Sequence, residues 1–211
     1  MINAPGVKRL GKQLLLIFLC SVLSVTAFAE SPNSVIEEAA SLLDDAVRGR
    51  RNELAEDKDA LYALIDEILL PRFDRKYAAQ RVLARHWKTA SSEERERFIN
   101  AFYNQLMRQY AEAVLEFDLD RMEVLPYRGD DTKKRTTVKT TMRLDNGTKV
   151  PVSYAVVKRD AGWLMYDVAI EGISFGRNFR EELNIEIQAK GLSGVIERLE
   201  ASESESEGAA E

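Results

Sequence analysis

Apolar residues in the first half of the chain recur every three or four positions, which is the spacing of one face of an α-helix. One such stripe spans residues 35–47. A second spans residues 61–69 and runs into Pro71, which would end or bend the helix. A shorter helix is predicted over residues 77–83. The first half is therefore predicted to be helical.

The longest predicted helix follows a serine that is suited to cap it. Ser91 and Glu94 have the spacing of a capping box, in which each residue satisfies a backbone N–H of the other. Behind them, apolar side chains recur at every fourth position: Phe98, Phe102, Leu106, Tyr110 and Val114. Such a stripe is more often ordinary core than the wall of a binding site, so it does not by itself indicate a function.

The second half changes to the pattern of β-strands. Its strand-length segments alternate or run apolar over residues 120–128, 134–144, 149–159 and 162–171. Asp145-Asn146-Gly147 is a strong signal for a tight hairpin between the second and third segments, and residues 159–162 close the next hairpin. Strands joined in this way form an antiparallel meander with one face available to pack on helices. We therefore predict an α+β fold, with N-terminal helices packed on a four-stranded antiparallel sheet and helices again at the C-terminus.

The stretch EGISFGRNFREEL, residues 171–183, follows the last predicted strand. Gly172 permits a sharp change of direction, and Ser174 can cap a new helix. The apolar residues of that helix lie four apart: Phe175, Phe179, Leu183 and Ile187. Gly191 would end it, before a short last helix over residues 194–199. The stretch lacks the glycine spacing of phosphate-binding loops, so we interpret it as a strand-to-helix junction.

The two ends of the chain differ from the rest in composition. Basic residues precede an apolar run at 14–23, and small residues follow at 27–29, which predicts a cleaved signal peptide over residues 1–29 and an exported mature chain. Residues 30–200 are then predicted to form a single domain. Residues 201–211 are acidic and of low complexity, so we predict a disordered tail.

Charge and cysteine content exclude several classes of function. Removal of residues 1–29 leaves 27 basic and 35 acidic residues, a net charge of −8 that argues against nucleic acid as a partner. Cys20 is the one cysteine and lies in the predicted signal peptide, which excludes disulfides and cysteine–zinc sites from the mature chain. His86 is the one histidine, so a multi-histidine metal site is excluded as well.

Asp167 is the one candidate for acid–base chemistry. It lies in the apolar segment WLMYDVAIEG, and alternation places it on the strand face of Trp163 and Met165. A single carboxylate in a pocket of an antiparallel sheet can transfer protons, as in ketosteroid isomerase. The alternative is a structural role, in which Asp167 bonds to a neighbouring backbone group or an arginine. The sequence has no nucleophile paired with a base, and we predict neither a catalytic residue nor a cofactor.

Three segments resemble the MlaC family: LARHWKTASSEERERFINAFYNQLMRQYA, NGTKVPVSYAVVKRDAGWLMYDVAIEGISF and GRNFREEL. Their most specific parts are residues 87–98, the strand at residues 163–168 and the junction at residues 172–180. The resemblance spans about residues 33 to 200, nearly the whole mature chain. Phe179 stands where the family commonly has tyrosine, and residues 175–177 depart from its more aliphatic run.

The resemblance implies a periplasmic phospholipid carrier rather than an enzyme. Members of the family have a deep apolar cavity between a curved sheet and the helices, which holds the acyl chains. The implied partners are phospholipid, an inner-membrane ABC transporter with a lipid-binding ring, and an outer-membrane lipoprotein–porin complex. Two acyl chains would need a volume of about 1,000 Å³, at the upper end of ordinary ligand pockets.

The apolar faces supply the residues expected to line this cavity. They are Phe98, Phe102, Leu106, Tyr110, Val138, Met142, Val150, Val152, Tyr154, Val156, Tyr166, Val168, Ile170 and Phe175. Alternation places Leu164 on the face of Tyr166, Val168 and Ile170. It shows which face is buried, and each of these residues could equally belong to a solid core.

Other functions stay open at this point. The chain could be a small enzyme that uses Asp167, or a periplasmic adaptor or chaperone with an apolar groove for peptides. Arg180 matches a family position, where head-group contact and a structural ion pair are both open.

Overall fold

The computed structural model of the protein describes residues 31–116, 118–130 and 132–207. The predicted signal peptide and the last four residues of the predicted tail lie outside these ranges. No helix in the described ranges has the length and apolar character needed to cross a membrane.

The described part of the chain forms helices where the apolar stripes predict them. The α-helices are α1 Ser34–Val47, α2 Arg51–Glu56, α3 Lys58–Leu69, α4 Arg75–Leu83, α5 His86–Thr89, α6 Ser92–Tyr110, α7 Glu112–Leu115 and α8 Phe175–Glu207. Single 3-10 turns follow α3 at Leu70–Arg72, which contains Pro71, and precede the first strand at Leu119–Arg121. The predicted helices are confirmed as α1, α3, α4 and α6, but Leu42, which lies in the stripe of the first helix, is 41% exposed.

The capping box of α6 is confirmed atom by atom. The Ser91 hydroxyl accepts from the Glu94 N–H at 3.1 Å, and the Glu94 carboxylate accepts from the Ser91 N–H at 2.8 Å. At its other end the helix is shorter than the stripe predicts. α6 ends at Tyr110, and Val114 belongs to the separate helix α7.

The strands form one antiparallel sheet in the order β1-β2-β3-β4-β5. They are β1 Met122–Val124, β2 Arg135–Arg143, β3 Lys149–Arg159, β4 Gly162–Ile170 and β5 Ile173–Ser174. The α+β class is confirmed, with five strands in place of the predicted four. The additional strand arises because Glu171 and Gly172 both have positive φ, at 51° and 83°, and so form a two-residue turn. Ile173 then pairs with Ile170.

A β-bulge in β4 changes which side chains share a face. Val156 pairs with Met165, but its neighbour Ala155 pairs with Asp167, so Tyr166 is an extra residue without a partner. Directly paired residues lie on the same face of a sheet. The prediction that Leu164 shares a face with Val168 and Ile170 is therefore wrong, because the extra residue shifts the alternation by one. The same shift removes Asp167 from the face of Trp163 and Met165.

The two faces of the sheet differ in what covers them. On the inner face, Val138, Val156, Trp163 and Met165 pack against Val35, Ile36 and Ala39 of α1. On the outer face of β2, Arg135, Thr137, Lys139 and Arg143 are exposed. This one-sided burial is typical of an antiparallel sheet that packs on helices.

The described apolar core consists of three clusters rather than one. The helical cluster joins α4, α6 and α8 through Val82, Phe98, Phe102, Leu183 and Ile196, among others. The sheet cluster is the packing of α1 on the inner face. The α3 cluster joins α1, α2, α3 and α7 through Val47, Leu54, Leu61, Ile65 and Leu115. These clusters surround the space in which the candidate site lies.

Helix α8 bends at Gly191, where φ is 76° and ψ is 164°. The predicted end of one helix at Gly191 is thus confirmed. The second part continues to Glu207, whereas residues 201–207 belong to the predicted disordered tail. Arg97 donates to both oxygens of Glu200, at 2.9 and 2.6 Å, and the Ser202 hydroxyl donates to the Leu199 carbonyl at 2.7 Å. These contacts extend the helix beyond its last buried apolar residue.

Candidate functional site

A cavity of about 310 Å³ lies between the three apolar clusters. Helices α1, α3, α4, α6, α7 and α8 and strands β1, β3 and β4 contribute to its wall. Asp167 is the one charged residue among the described lining residues. A wall of this composition offers few hydrogen-bond partners to a polar ligand, but it gains free energy by burying hydrocarbon.

Half of the residues expected from the sequence line this cavity. They are Phe102, Leu106, Tyr110, Tyr154, Tyr166, Val168 and Phe175. They come from α6, β3, β4 and the first turn of α8. Their contact with a ligand stays a prediction.

The other half lie elsewhere in the fold. Phe98 is fully buried in the helical cluster, where it stacks on Phe102 with ring centroids 5.5 Å apart. Val138 and Val156 are buried under α1 in the sheet cluster. Met142, Val150, Val152 and Ile170 share the inner face with Tyr154 and Val168, but they lie towards the end of the sheet and outside the cavity wall. Helical spacing for Phe98 and strand alternation for the other six identified the correct face without showing where the helices leave space.

Most of the lining that the sequence did not indicate comes from helices. Helix α1 contributes Ile36, Ala39, Ala40 and Leu43. Small side chains help to make the space: Ala39, Ala40, Ala78 and Ala111 are all buried and all face the cavity. Alanines at core-facing positions of predicted helices are the signal that could have located this wall.

Tyr103 closes one side of the cavity and is fixed at both its ring and its hydroxyl. The phenol donates to Asp66 Oδ1 at 2.6 Å, and the Arg75 guanidinium lies 5.1 Å from the ring centroid. Burial, reinforced by the Asp66 carboxylate, raises the pKa of Tyr103 above its ordinary value. Tyr103 is therefore neutral and presents an uncharged wall.

Both oxygens of Asp167 are occupied by the start of α8. Oδ2 accepts from the Ser174 hydroxyl at 2.6 Å, and Oδ1 accepts from the Gly176 N–H at 2.8 Å. The Ser174 oxygen accepts from the Arg177 N–H at 3.0 Å, which confirms it as a helix cap. The structural interpretation of Asp167, hydrogen bonding to a neighbouring backbone group, is confirmed.

Two aromatic contacts hold the first turns of α8 over the cavity. Phe175 stacks on Tyr110 at 4.9 Å between centroids, and Phe179 meets Phe102 edge to face at 5.3 Å. Both phenylalanines line the cavity. Burial raises the pKa of Tyr110, and the Glu182 carboxylate adds to the shift. The anchored N-terminus of α8 thus becomes part of the cavity wall.

The described residues hold no group of three or more metal-ligating side chains. His86 Nε2 lies 2.9 Å from Asn184 Oδ1, a contact that joins α5 to α8, and it also accepts from Arg85 Nε at 3.4 Å.

Comparison with known proteins agrees with this geometry. The family model of the MlaC protein matches residues 37–201. The toluene tolerance protein Ttg2D of Pseudomonas putida is 26% identical over 178 residues, which cover 84% of this chain and 82% of that protein. The intermembrane phospholipid transport system binding protein MlaC of Haemophilus influenzae is 22% identical over 184 residues, 85% of this chain and 86% of that protein.

A solved structure shares the fold. The phospholipid-binding protein from Ralstonia solanacearum, in complex with a phospholipid, superposes with a TM-score of 0.75 at 22% sequence identity. The match covers 83% of this chain and 98% of that one. Since the family model matches most of the chain and the fold agrees, the protein belongs to the MlaC family.

Proposed function

We propose that the protein is a periplasmic phospholipid carrier that holds the acyl chains of its cargo in the apolar cavity. The observation that carries this proposal is the cavity itself, which lies between three apolar clusters and has a single charged residue, already hydrogen-bonded, among its described lining residues. The phospholipid in the Ralstonia structure and the transport role in the name of the Haemophilus relative support it.

The energetics require an enclosed site of this kind. A diacyl lipid has roughly thirty methylenes, each costing about 0.8 kcal/mol to expose to water, so the transfer costs on the order of 20 kcal/mol. Polar contacts at a protein surface cannot offset that cost, whereas an apolar cavity can. The cavity volume of about 310 Å³ lies at the lower end of ligand pockets rather than near the expected upper end. Cargo of this size must therefore widen the cavity or extend beyond it.

The family and the N-terminal sequence support a route for the cargo. The basic, apolar and small-residue segments of residues 1–29 support export to the periplasm. There the protein would carry lipid between an inner-membrane ABC transporter with a lipid-binding ring and an outer-membrane lipoprotein–porin complex. The hydrogen bonds of Asp167 to the start of α8 support a structural role for its carboxylate rather than the enzyme alternative.

The first test is mass spectrometry of an organic extract of the protein purified from a bacterial host. We expect diacyl phospholipid at about one molecule per chain, because loss of bound lipid into water is strongly unfavourable. An extract with no more lipid than that of an unrelated exported protein would contradict the proposal and favour the peptide-binding adaptor.

Filling the cavity provides a second test. Ala40 is buried on α1 and lines the cavity, so Ala40→Trp places an indole where acyl chains would lie. We expect the variant to fold but to retain much less lipid. Ser41→Trp, at the exposed neighbouring position, is the matched control and should retain lipid like the parent protein. Equal lipid content in both variants would remove α1 from the site.

A further inference from the structure

Two tyrosines and three arginines meet where α4 approaches the strands β2, β3 and β4. Tyr77 of α4 contacts Tyr166 of β4 edge to face, with ring centroids 4.9 Å apart. Arg135 of β2 donates to the Tyr77 hydroxyl at 3.2 Å, and the guanidinium of Arg159 in β3 lies 5.1 Å from the centroid of the Tyr77 ring. Arg81 lies four residues after Tyr77, so it extends from the same face of α4. We call these residues the Arg–Tyr cluster: Tyr77, Arg81, Arg135, Arg159 and Tyr166.

The Arg–Tyr cluster carries more positive charge than its described neighbours neutralise. Arg159 forms a salt bridge with Asp74 at 2.7 Å, but no carboxylate of the described residues forms one with Arg81 or Arg135. Burial raises the pKa of Tyr166, and the guanidinium groups of Arg81 and Arg135 oppose this shift, so both charges act on the Tyr166 hydroxyl. The two exposed arginines are therefore available to an anionic partner.

The outer face of the sheet beside the Arg–Tyr cluster is open and also basic. Arg135 and Lys139 are exposed on the outer face of β2. The neighbouring residues of β3, Ser153 and Ala155, are small and partly exposed. Asp167 pairs with Ala155, but both oxygens of its carboxylate already accept hydrogen bonds from the start of α8. The sheet thus presents a positively charged face, although the chain as a whole has a net charge of −5.

The chemistry of this face favours a protein partner that is rich in carboxylates. Arginine and tyrosine are enriched where protein interfaces are buried most completely, and arginine binds carboxylates through two parallel hydrogen bonds. Here Tyr77 holds Arg135 by its hydroxyl and Arg159 by its ring, which lowers the cost of ordering these side chains on binding. A surface of anionic lipid fits the face less well, because the acidic chain as a whole would be repelled by it.

We infer that the Arg–Tyr cluster and the adjoining outer face form a docking surface for an acidic segment of a partner protein. Tyr166 belongs to the cluster and also lines the cavity, so a segment docked here would contact the wall of the cavity. This inference goes beyond the carrier proposal, because binding of an acidic segment and lipid content are measured separately.

A labelled acidic peptide tests the docking surface. The probe is a fluorescein-labelled peptide in which six glutamates alternate with glycine, and the same peptide with glutamine in place of glutamate is the uncharged control. Fluorescence anisotropy at low ionic strength measures the Kd of each peptide. We expect the parent protein to bind the glutamate peptide and not the glutamine peptide, because charge-assisted hydrogen bonds supply the affinity.

Arg81→Gln with Arg135→Gln should weaken binding of the glutamate peptide on the order of tenfold, and each single substitution should give an intermediate Kd. Both arginines are exposed, so the fold should be retained. Arg50→Gln with Lys190→Gln is the matched control, since it removes the same charge at exposed positions outside the cluster and should change the Kd by less than about twofold. Equal weakening in the two double variants, or equal binding of the two peptides, would overturn the inference.

Two further measurements on the same variants distinguish other occupants of this face. Neither Arg81 nor Arg135 lines the cavity, so the variant that lacks both should retain lipid like the parent protein. Loss of bound lipid from this variant alone would assign the arginines to the head group of the cargo and overturn the inference. Sedimentation with vesicles of palmitoyl-oleoyl phosphatidylglycerol that the parent shows and this variant lacks would assign them to a membrane surface, which would also overturn it.

Discussion

At the scale of single residues, one carboxylate fixes where α8 begins. Asp167 holds the Ser174 hydroxyl and the Gly176 N–H, and a Cβ on Gly176 would lie 3.0 Å from Asp167 Oδ1 and 3.2 Å from its Cγ. These distances are shorter than ordinary van der Waals contacts, so a side chain at position 176 would require the carboxylate to move by a few tenths of an ångström. The pair then places Phe175 against Tyr110 in the cavity wall.

Gly176→Ala should therefore lower the free energy of unfolding by about 1 kcal/mol or more, because the carboxylate must give up a hydrogen bond. The measurement is urea denaturation of delipidated protein. Combining the change with Asp167→Ala should remove most of the extra cost, since the two residues act on one contact.

The matched control is Gly194→Ala in the second part of α8. A Cβ there would meet Lys190 Cβ at 3.4 Å, which is ordinary contact. Alanine should then gain about 0.5–1 kcal/mol from its helix propensity. Equal effects of the two alanine substitutions would contradict the role assigned to Asp167.

At the scale of secondary-structure elements, an ion pair between Glu186 and Arg198 links the two parts of α8 across the bend at Gly191. Arg198 donates to both oxygens of Glu186 at 2.7 Å, and Lys190 lies 3.3 Å from Glu186 Oε1. Glu186 precedes Gly191 and Arg198 follows it, so the pair fixes the angle between the two parts of the helix. Both parts contribute to the helical cluster through Leu183 and Ile196.

The hydrogen bonds from Arg198 hold the pKa of Glu186 below its ordinary value. A lowered pKa in the folded state stabilises the protein above the unfolded pKa of about 4.3, and this contribution is lost as pH falls through the folded pKa. Glu186→Gln should thus lower the unfolding temperature at pH 7, and the difference from the parent should shrink towards pH 3.5. Glu181→Gln, an exposed glutamate of the same helix, should show a much smaller difference at pH 7. A difference for Glu186→Gln that does not vary with pH would contradict the ionic role.

The elements differ in how far the sequence predicts them. The Ser91 capping box, the hairpin at Gly147 and the bend at Gly191 were predictable, because each depends on residues close together in the chain. The bulge at Tyr166 was not, because it is a property of the pairing between β3 and β4. The sequence predicts which face of an element is buried, but not which residues of that face line the cavity. Phe98 and Phe102 lie on one stripe of α6, and of these two only Phe102 lines the cavity. Whether such a residue lines the cavity or packs in the core depends on how closely the neighbouring element approaches it.

At the scale of the whole molecule, the described apolar core is divided into three clusters with a cavity between them. Lipid that binds the folded state and not the unfolded chain stabilises the former by mass action. The loaded protein should therefore unfold at a higher temperature than the delipidated one. Calorimetry of the two forms tests this expectation, and Ala40→Trp should reduce the difference. Coincident transitions would contradict a ligand inside the fold.

The 310 Å³ of space between the clusters also has a mechanical consequence. Hydrostatic pressure favours the state of smaller volume, and unfolding eliminates internal voids in proportion to their size. The protein without its cargo should therefore unfold at a lower pressure than the same protein with lipid bound. In the filled form the hydrocarbon occupies this space, so that unfolding eliminates less void volume. The unfolding pressure then distinguishes the lipid-free from the lipid-bound form of the protein, without any label on the lipid.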